Sequence, residues 1–185
     1  TDDVESKVIN KIIKPTLDGM RKINARFSGI LYAGLMIEGS EPKLIEYNIR
    51  FGDPECQILM MRMKSDFLKL VSDVIEETLN QNKIEWIADP GITVVAANKG
   101  YPEKYEKDKV IKNLNDIEQN DRLQIFHAGT SNNDGKITAT GGRVLNSTVI
   151  DKTLKTAREK ALRALDKLEW ENKYYRRDIG WRVIK

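Results

Sequence analysis

The sequence is short of sulfur and of imidazole: its 185 residues hold one cysteine, Cys56, and one histidine, His127. A lone cysteine excludes an intrachain disulfide, which suits a reducing cytosol without requiring one. A lone histidine excludes a histidine-rich metal site and a Ser-His-Asp triad with a second base. No apolar run approaches the ~20 residues that span a bilayer. No signal-peptide pattern opens the chain. No G-x-x-x-x-G-K-[ST] stretch occurs, so this is not a P-loop protein. Internal repeats are absent and low complexity is slight. Excess charge is small too, with 31 basic residues against 28 acidic ones and a formal net charge of +3. That balance does not argue for nucleic acid, and it is compatible with anionic small substrates. There is also no initiator Met. Thr1-Asp2-Asp3 runs straight into a helical pattern, and the chain reads as a piece of something longer.

What remains is an ordinary globular composition, 40% hydrophobic and 32% charged. The length suffices for a substantial core, in one domain or two small ones. Val8, Ile12, Ile13, Leu17, Met20 and Ile23 form the stripe of an amphipathic helix over Val4 to Asn24, which Pro15 should kink or restart. Ser28 to Ile37 reads as a buried strand. Glu38 to Pro42 is a turn, so that strand is expected to pair antiparallel with Lys43 to Asn48. Gln57 to Met63 is short and apolar, with Met60, Met61 and Met63 as core filler. Ser65 or Asp66 should cap a helix running to about Leu79, with Phe67, Leu68, Val71, Val74 and Ile75 facing inward. The pattern breaks near Gln81 to Pro90, and a domain boundary is placed there, between 85 and 86.

Beyond it, Gly91 to Ala97 is a strand leading into Gly100-Tyr101-Pro102. Glu103 to Lys112 alternates in charge like a solvated loop. Arg122 to His127 is a strand, and Asn132-Asn133-Asp134-Gly135 is a strong hairpin signal. Val144 to Val149 is another strand. Asp151 should cap a last helix reaching about Leu168, with Leu154, Ala157, Ala161, Leu165 and Leu168 inward.

The stretch with the most chemistry is Pro42-Lys43-Leu44-Ile45-Glu46-Tyr47-Asn48-Ile49-Arg50-Phe51-Gly52-Asp53-Pro54-Glu55. Side chains alternate along a strand, so Ile45, Tyr47 and Ile49 share one face and Leu44, Glu46, Asn48 and Arg50 the other. Successive members of the polar row stand roughly 6–7 Å apart. Mg²⁺ prefers oxygen ligands and is held by one or two protein groups plus nucleotide phosphates. Glu46 offers an anionic oxygen and Asn48 a neutral one, while the Arg50 fork suits phosphate or carboxylate. The same residues also describe an edge strand with a solvated polar face and a surface ion pair.

Elsewhere, Gly141-Gly142-Arg143 is either an anion-wrapping turn or a tight turn with a surface arginine. Gly100-Tyr101-Pro102 is equally open. His127, at a strand end, is a hydrogen-bonded structural residue or an acid/base. Cys56 has no basic partner to lower its thiol pKa and reads as a small buried hydrophobe. Arg176-Arg177-Asp178 pairs within itself or contacts phosphate.

Phe27 to Met36, the polar row, and Arg50-Phe51-Gly52-Asp53-Pro54-Glu55-Cys56-Gln57 together resemble the C-terminal half of the glycinamide ribonucleotide synthetase (phosphoribosylamine–glycine ligase) family. The resemblance resumes at Phe126-His127-Ala128-Gly129-Thr130, Gly141-Gly142-Arg143-Val144-Leu145 and Tyr175 to Arg182, in order along the whole chain. It implies an α+β fold. Residues 1–85 would be the C-terminal part of an ATP-grasp domain, an antiparallel sheet with helices. Residues 86–185 would be a small C-terminal domain of the rudiment single hybrid type. It further implies a cytoplasmic, ATP-dependent carbon–nitrogen ligase of purine biosynthesis, joining glycine to 5-phosphoribosylamine. Mg²⁺, or Mn²⁺, would be held by Glu46 and Asn48, with Arg50 steadying the transferring phosphoryl group. Asp53 and Glu55 would meet an amino group. Gly100, Tyr101, Pro102, His127, Gly129, Thr130, Gly142 and Arg143 would bind or shape substrate. The family's N-terminal substrate domain and ATP-clamping lid have no match here, so the missing N-terminal part becomes a required partner and the piece alone should be inactive. No nucleic-acid or membrane partner is implied. Two rivals stand beside this reading: another ATP-grasp ligase or carboxylase, since Glu-x-Asn-x-Arg recurs across that superfamily, and a non-enzymatic interaction module.

Overall fold

A computed structural model describes residues 1–79 and 83–184. In chain order the helices are α1 (Asp2–Lys7), α2 (Lys14–Lys22), α3 (Glu55–Arg62), α4 (Phe67–Ile75) and α5 (Leu154–Lys167). The strands are β1 (Tyr32–Glu38), β2 (Glu41–Asn48), β3 (Gly91–Asn98), β4 (Lys109–Val110), β5 (Leu123–His127), β6 (Thr130–Asn133), β7 (Lys136–Ala139), β8 (Arg143–Ile150) and β9 (Lys173–Tyr175). Two compact units result, one of residues 1–52 and 66–83, the other of 53–65 and 84–185. The expected boundary region overlaps residues 80–82, which lie outside the described residues.

In the first unit, α1 and α2 are joined through a π-helical stretch, Val8–Ile13, in which the Lys14 N–H reaches the Ile9 carbonyl. Proline removes a donor and crowds the carbonyl four residues back. The wider turn ahead of Pro15 absorbs both problems, so the helix changes winding instead of breaking. Lys7 and Lys11 both pair with Glu41 at 2.9 Å, tying this helix to β2. The hairpin is as expected, β1 antiparallel to β2, but tighter: Glu38 pairs with Glu41, leaving only Gly39 and Ser40 in the turn. The first strand also starts later than the apolar run, because Gly29 sits at φ +134° and interrupts the extended chain.

A β-bulge changes the expected faces. Gly34 pairs with Glu46 and Leu35 with Leu44, so Ile45 is an extra residue on β2. An unpaired residue shifts the alternation by one. Leu44 therefore joins Tyr47, and both line a concavity with Ile12, Pro15 and Thr16 of the helical layer. The expectation that Leu44 shares the Glu46 face is corrected; Ile45 is 64% exposed. The Tyr47 hydroxyl meets Thr16 Oγ1 at 2.7 Å, which fixes the opposite face for Glu46 and Asn48.

The α4 cap is Asp66, whose carboxylate accepts from the Lys69 N–H at 3.0 Å. The helix ends at Ile75, short of Leu79. Its expected inner stripe is overturned: Leu70 and Asp73 are buried, whereas Leu68 and Ile75 are 74% and 76% exposed. Among the described residues of this unit those two are the only buried ones.

The second unit has an antiparallel sheet in the order β5-β8-β3-β9, with a smaller sheet β4-β7-β6 beside it. Ile92, Val94, Ala96, Leu145 and Val149 pack with Ala157, Ala161, Leu165 and Leu168 of the α5 region in one core. Helix α3 covers the other face, where a Cβ built on Gly91 would strike Ile58. The last helix starts at Leu154 under a Thr153 cap, whose hydroxyl accepts from the Thr156 N–H at 3.1 Å. Asp151, the expected cap, instead pairs with Lys160 at 2.7 Å, and that ammonium first, then the Lys152 N–H, pulls its carboxyl down to about 2. The β6–β7 hairpin turns on Asp134 and Gly135, both at positive φ, with Asn132 Oδ1 accepting from the Gly135 N–H. That is the turn its sequence favours.

Candidate functional site

Two constellations hold the expected residues, one in each unit. In the first, Glu46 and Asn48 stand on one face of β2, with the Asn48 amide donating to Glu46 Oε1 at 3.1 Å. Gly34 lies opposite Glu46, and a Cβ there would sit 3.0 Å from Glu46 Cγ, so the carboxylate stem rests on bare backbone. Glu46 is exposed and Asn48 half-buried. The acid and the amide are thus neighbours on an open face. Arg50 does not complete the row. The strand ends at Asn48, the next two residues bend, and the Arg50 guanidinium donates to the Phe51 carbonyl at 2.8 Å. Alternation needs extended backbone, and the bend removes it. The Phe51 ring then packs on Phe67 with centroids 5.9 Å apart.

In the second unit, three loops meet at the end of the sheet where β3 and β5 finish and β8 begins. The Gly129 N–H donates to the Arg143 carbonyl at 2.9 Å, and Gly129 and Gly141 touch through their backbones. The Tyr101 ring lies against Gly142, so that any side chain at that position would collide with it. His127 Nδ1 and Thr130 Oγ1 are 2.9 Å apart. The residues expected to shape a substrate, Gly100-Tyr101-Pro102, His127, Gly129-Thr130 and Gly142-Arg143, are therefore brought together. Asp53 joins them: Arg143 forms an ion pair with its carboxylate at 3.1 Å and donates to its backbone carbonyl at 2.7 Å. A guanidinium already engaged by a carboxylate offers an incoming anion less than a bare one. Glu55 stands in the first turn of α3.

Sequence reasoning passed over three residues here. Asn98 is 1% exposed; its side chain donates to the Gly141 carbonyl and accepts from the Trp170 indole, both at 2.9 Å, and its backbone N–H donates to the Gly142 carbonyl. Gln57 donates to Asp53 Oδ1 at 3.0 Å. The four-residue spacing of Asp53 and Gln57 at a helix start was the available signal. Nothing in the sequence marked Asn98 or Trp170. Burial first, and then the nearby Asp53 charge, push the Cys56 thiol up, which agrees with an unreactive cysteine. Among the described residues no group of three or more His, Cys, Asp or Glu side chains could hold a metal, and no helix is long and apolar enough to cross a membrane.

The antiparallel ribbon with its acid–amide pair, and the domain that follows it in sequence, can be compared with known proteins. Residues 1–56 match the family profile described as "Phosphoribosylglycinamide synthetase, ATP-grasp (A) domain", which puts the chain in the ATP-grasp class. Residues 91–182 match "Phosphoribosylglycinamide synthetase, C domain". The chain belongs to the phosphoribosylglycinamide synthetase family. It is 48% identical over 185 residues to the phosphoribosylamine–glycine ligase of Brucella melitensis, covering all of this chain and 43% of that protein. Against the chloroplastic phosphoribosylamine–glycine ligase of Arabidopsis thaliana it is 44% identical over 189 residues, 100% of this chain and 36% of the relative. The crystal structure of the phosphoribosylamine–glycine ligase from Thermotoga maritima superposes with a TM-score of 0.74 at 33% identity, over 96% of this chain and 43% of that one. The chain thus spans under half the length of these relatives, and it has the antiparallel α+β fold of the family's C-terminal region.

Proposed function

We propose that this chain is the C-terminal part of a phosphoribosylamine–glycine ligase acting in cytoplasmic purine synthesis. The observation that carries the reading is the Glu46–Asn48 pair, side by side on an open strand face in a chain of this family. Two oxygen donors of this kind fit Mg²⁺ or Mn²⁺, whose remaining positions nucleotide phosphates and water fill. Asn48 Oδ1 and Glu46 Oε2 would hold the ion, since the other two atoms already bond each other. A divalent ion there neutralises phosphate charge.

The reaction has two steps. A glycine carboxylate oxygen attacks the γ-phosphorus of ATP, forming glycyl phosphate and releasing ADP. The amine of 5-phosphoribosylamine then attacks the acyl carbon, and inorganic phosphate leaves with the bonding electron pair. Such transfers depend on positioning and charge neutralisation. Arg50 would exchange its bond to the Phe51 carbonyl for the transferring phosphoryl group. Asp53 and Glu55 would receive an amino group. The loops of Gly100-Tyr101-Pro102, His127, Gly129-Thr130 and Gly142-Arg143 would shape the place of the ribosylamine. Residues 1–85 would belong to the ATP-grasp domain and 86–185 to the C-terminal domain. ATP clamping falls to the N-terminal part of the same protein, so residues 1–185 alone would be inactive.

The test is ADP release by the full-length protein, dependent on both glycine and phosphoribosylamine. Glu46→Ala with Asn48→Ala should lower kcat/KM at least about a hundredfold, the scale of removing a transition-state charge stabiliser. ADP release that follows bicarbonate instead of glycine, or a double variant with full activity, would sink the reading.

A further inference from the structure

We propose that Gln57 is a positioning residue, fixing the Asp53 carboxylate for the amino group of a substrate. The proposal rests on the reading above that Asp53 receives that amine. The Asp53 carboxylate is held from both ends: Gln57 Nε2 donates to Oδ1 at 3.0 Å, and the Arg143 guanidinium forms an ion pair with Oδ2 at 3.1 Å. A carboxylate has about four lone-pair sites, so each oxygen keeps capacity for a further donor. The pair is well placed to use it, since the Asp53 and Arg143 side chains are 38% and 39% exposed. Either anchor alone would leave the group free to turn about its Cβ–Cγ bond.

Packing alone does not account for a glutamine at this position. Its Oε1 is buried and has no hydrogen-bond partner among the described residues. A buried acceptor left unmade is costly, so a methionine or leucine would fill the space better. What the amide alone supplies is the bond to Asp53. It donates without adding a second positive charge to the one Arg143 already sets against Asp53. A lysine at this position would have added one.

The experiment uses the full-length enzyme with Gln57→Met, which keeps the length of the side chain and removes the donor. The KM for glycine or for phosphoribosylamine should rise about tenfold, while kcat and the KM for ATP stay within about twofold. Gln57→Glu, which also sets a like charge beside Asp53, should raise the same KM further; it carries the test should the methionine variant fail to fold. Added to Asp53→Ala, Gln57→Met should change that KM by less than about twofold, because its effect passes through Asp53. Unchanged KM values in the single variants, or a fully additive double variant, overturn the proposal. A crystal structure of Gln57→Met gives a readout independent of activity, with the Asp53 carboxylate expected to be turned from its place beside Arg143. An unmoved carboxylate overturns the proposal whatever the reaction is. An unsubstituted enzyme that releases no substrate-dependent ADP instead refutes the ligase reading.

Discussion

The two units of this chain reach different degrees of closure. The second buries Val94, Leu145, Val149, Leu165 and Leu168 between a sheet and a helix. In the first, Ile45 and Ile49 are largely exposed, and α4 turns Leu68 and Ile75 outward. Burial of apolar area is the main favourable term in folding, at about 25 cal/mol per Å². The second unit therefore has its own core, while the first is a ribbon and helices whose apolar surface awaits a cover. Exposed apolar surface of this kind marks an interaction face. In a chain that spans 43% of its Brucella relative, the cover is proposed to come from the rest of the polypeptide.

Truncation gives the largest expected contrast. Leu165→Ala, in the closed core, should destabilise the chain by about 2–5 kcal/mol. Leu68→Ala should stay within about 0.5 kcal/mol in residues 1–185, as surface substitutions do. Urea unfolding of both variants checks the pair, and equal losses would break the comparison. The same Leu68→Ala change should cost more in the full-length protein, which would sharpen it.

A smaller effect is expected from Trp170→Phe. It strips the indole donor from the buried Asn98 side-chain oxygen, Oδ1, and should cost about 1–3 kcal/mol, with faster hydrogen exchange at the Asn98 N–H, which donates to the Gly142 carbonyl. An unchanged exchange rate would mean that Asn98 is held by the strand alone. Next comes Thr153→Ala, which removes the cap of α5 and should cost about 1 kcal/mol. The parallel change at Asp151, the residue the sequence favoured, should leave the amide of Thr156 protected, since Thr153 holds it.

The last prediction concerns pH and the first unit. Lys11, then Lys7, hold the exposed Glu41 carboxyl down at about 2 from its ordinary 4.5. A depressed folded value means that the contribution is present above about 4.5 and is lost as pH falls through about 2. A carbon-detected NMR titration of Glu41 should therefore show a midpoint far below that of a free glutamate, rising toward it in Lys11→Gln with Lys7→Gln. Salt should weaken the pairing, because it lies at the surface. A midpoint indifferent to both lysines would disprove the tie between helix and ribbon.

Both hairpins could be read from sequence because their turns carry residues that tolerate positive φ or need no side chain. The stripe of α4 could be read as well, but not its direction. Periodicity reports that apolar residues share a face, and only the surrounding chain decides whether anything lies against it. The bulge at Ile45 left no trace, since an isoleucine fits a regular strand equally well, and it moved Leu44 to the helix side. Arg50 failed for a related reason: the row assumed that the strand continued past Asn48. For the last helix, Asp151 and Thr153 are both good caps two residues apart, and Lys160, nearly two turns into α5, took the aspartate. The pair of Asp53 and Arg143 joins positions 90 residues apart, and no local pattern predicts such a partner.

That separation has a consequence for how the molecule comes into being. The Asp53 loop acquires its guanidinium partner only from a position ninety residues further along the chain, beyond two of the four strands of the second unit's larger sheet. Closing so long a span is slow compared with forming a helix or a hairpin. The carboxylate thus gains its second anchor only once Arg143 has emerged, and a translation product that stops before Arg143 carries an Asp53 held by Gln57 alone.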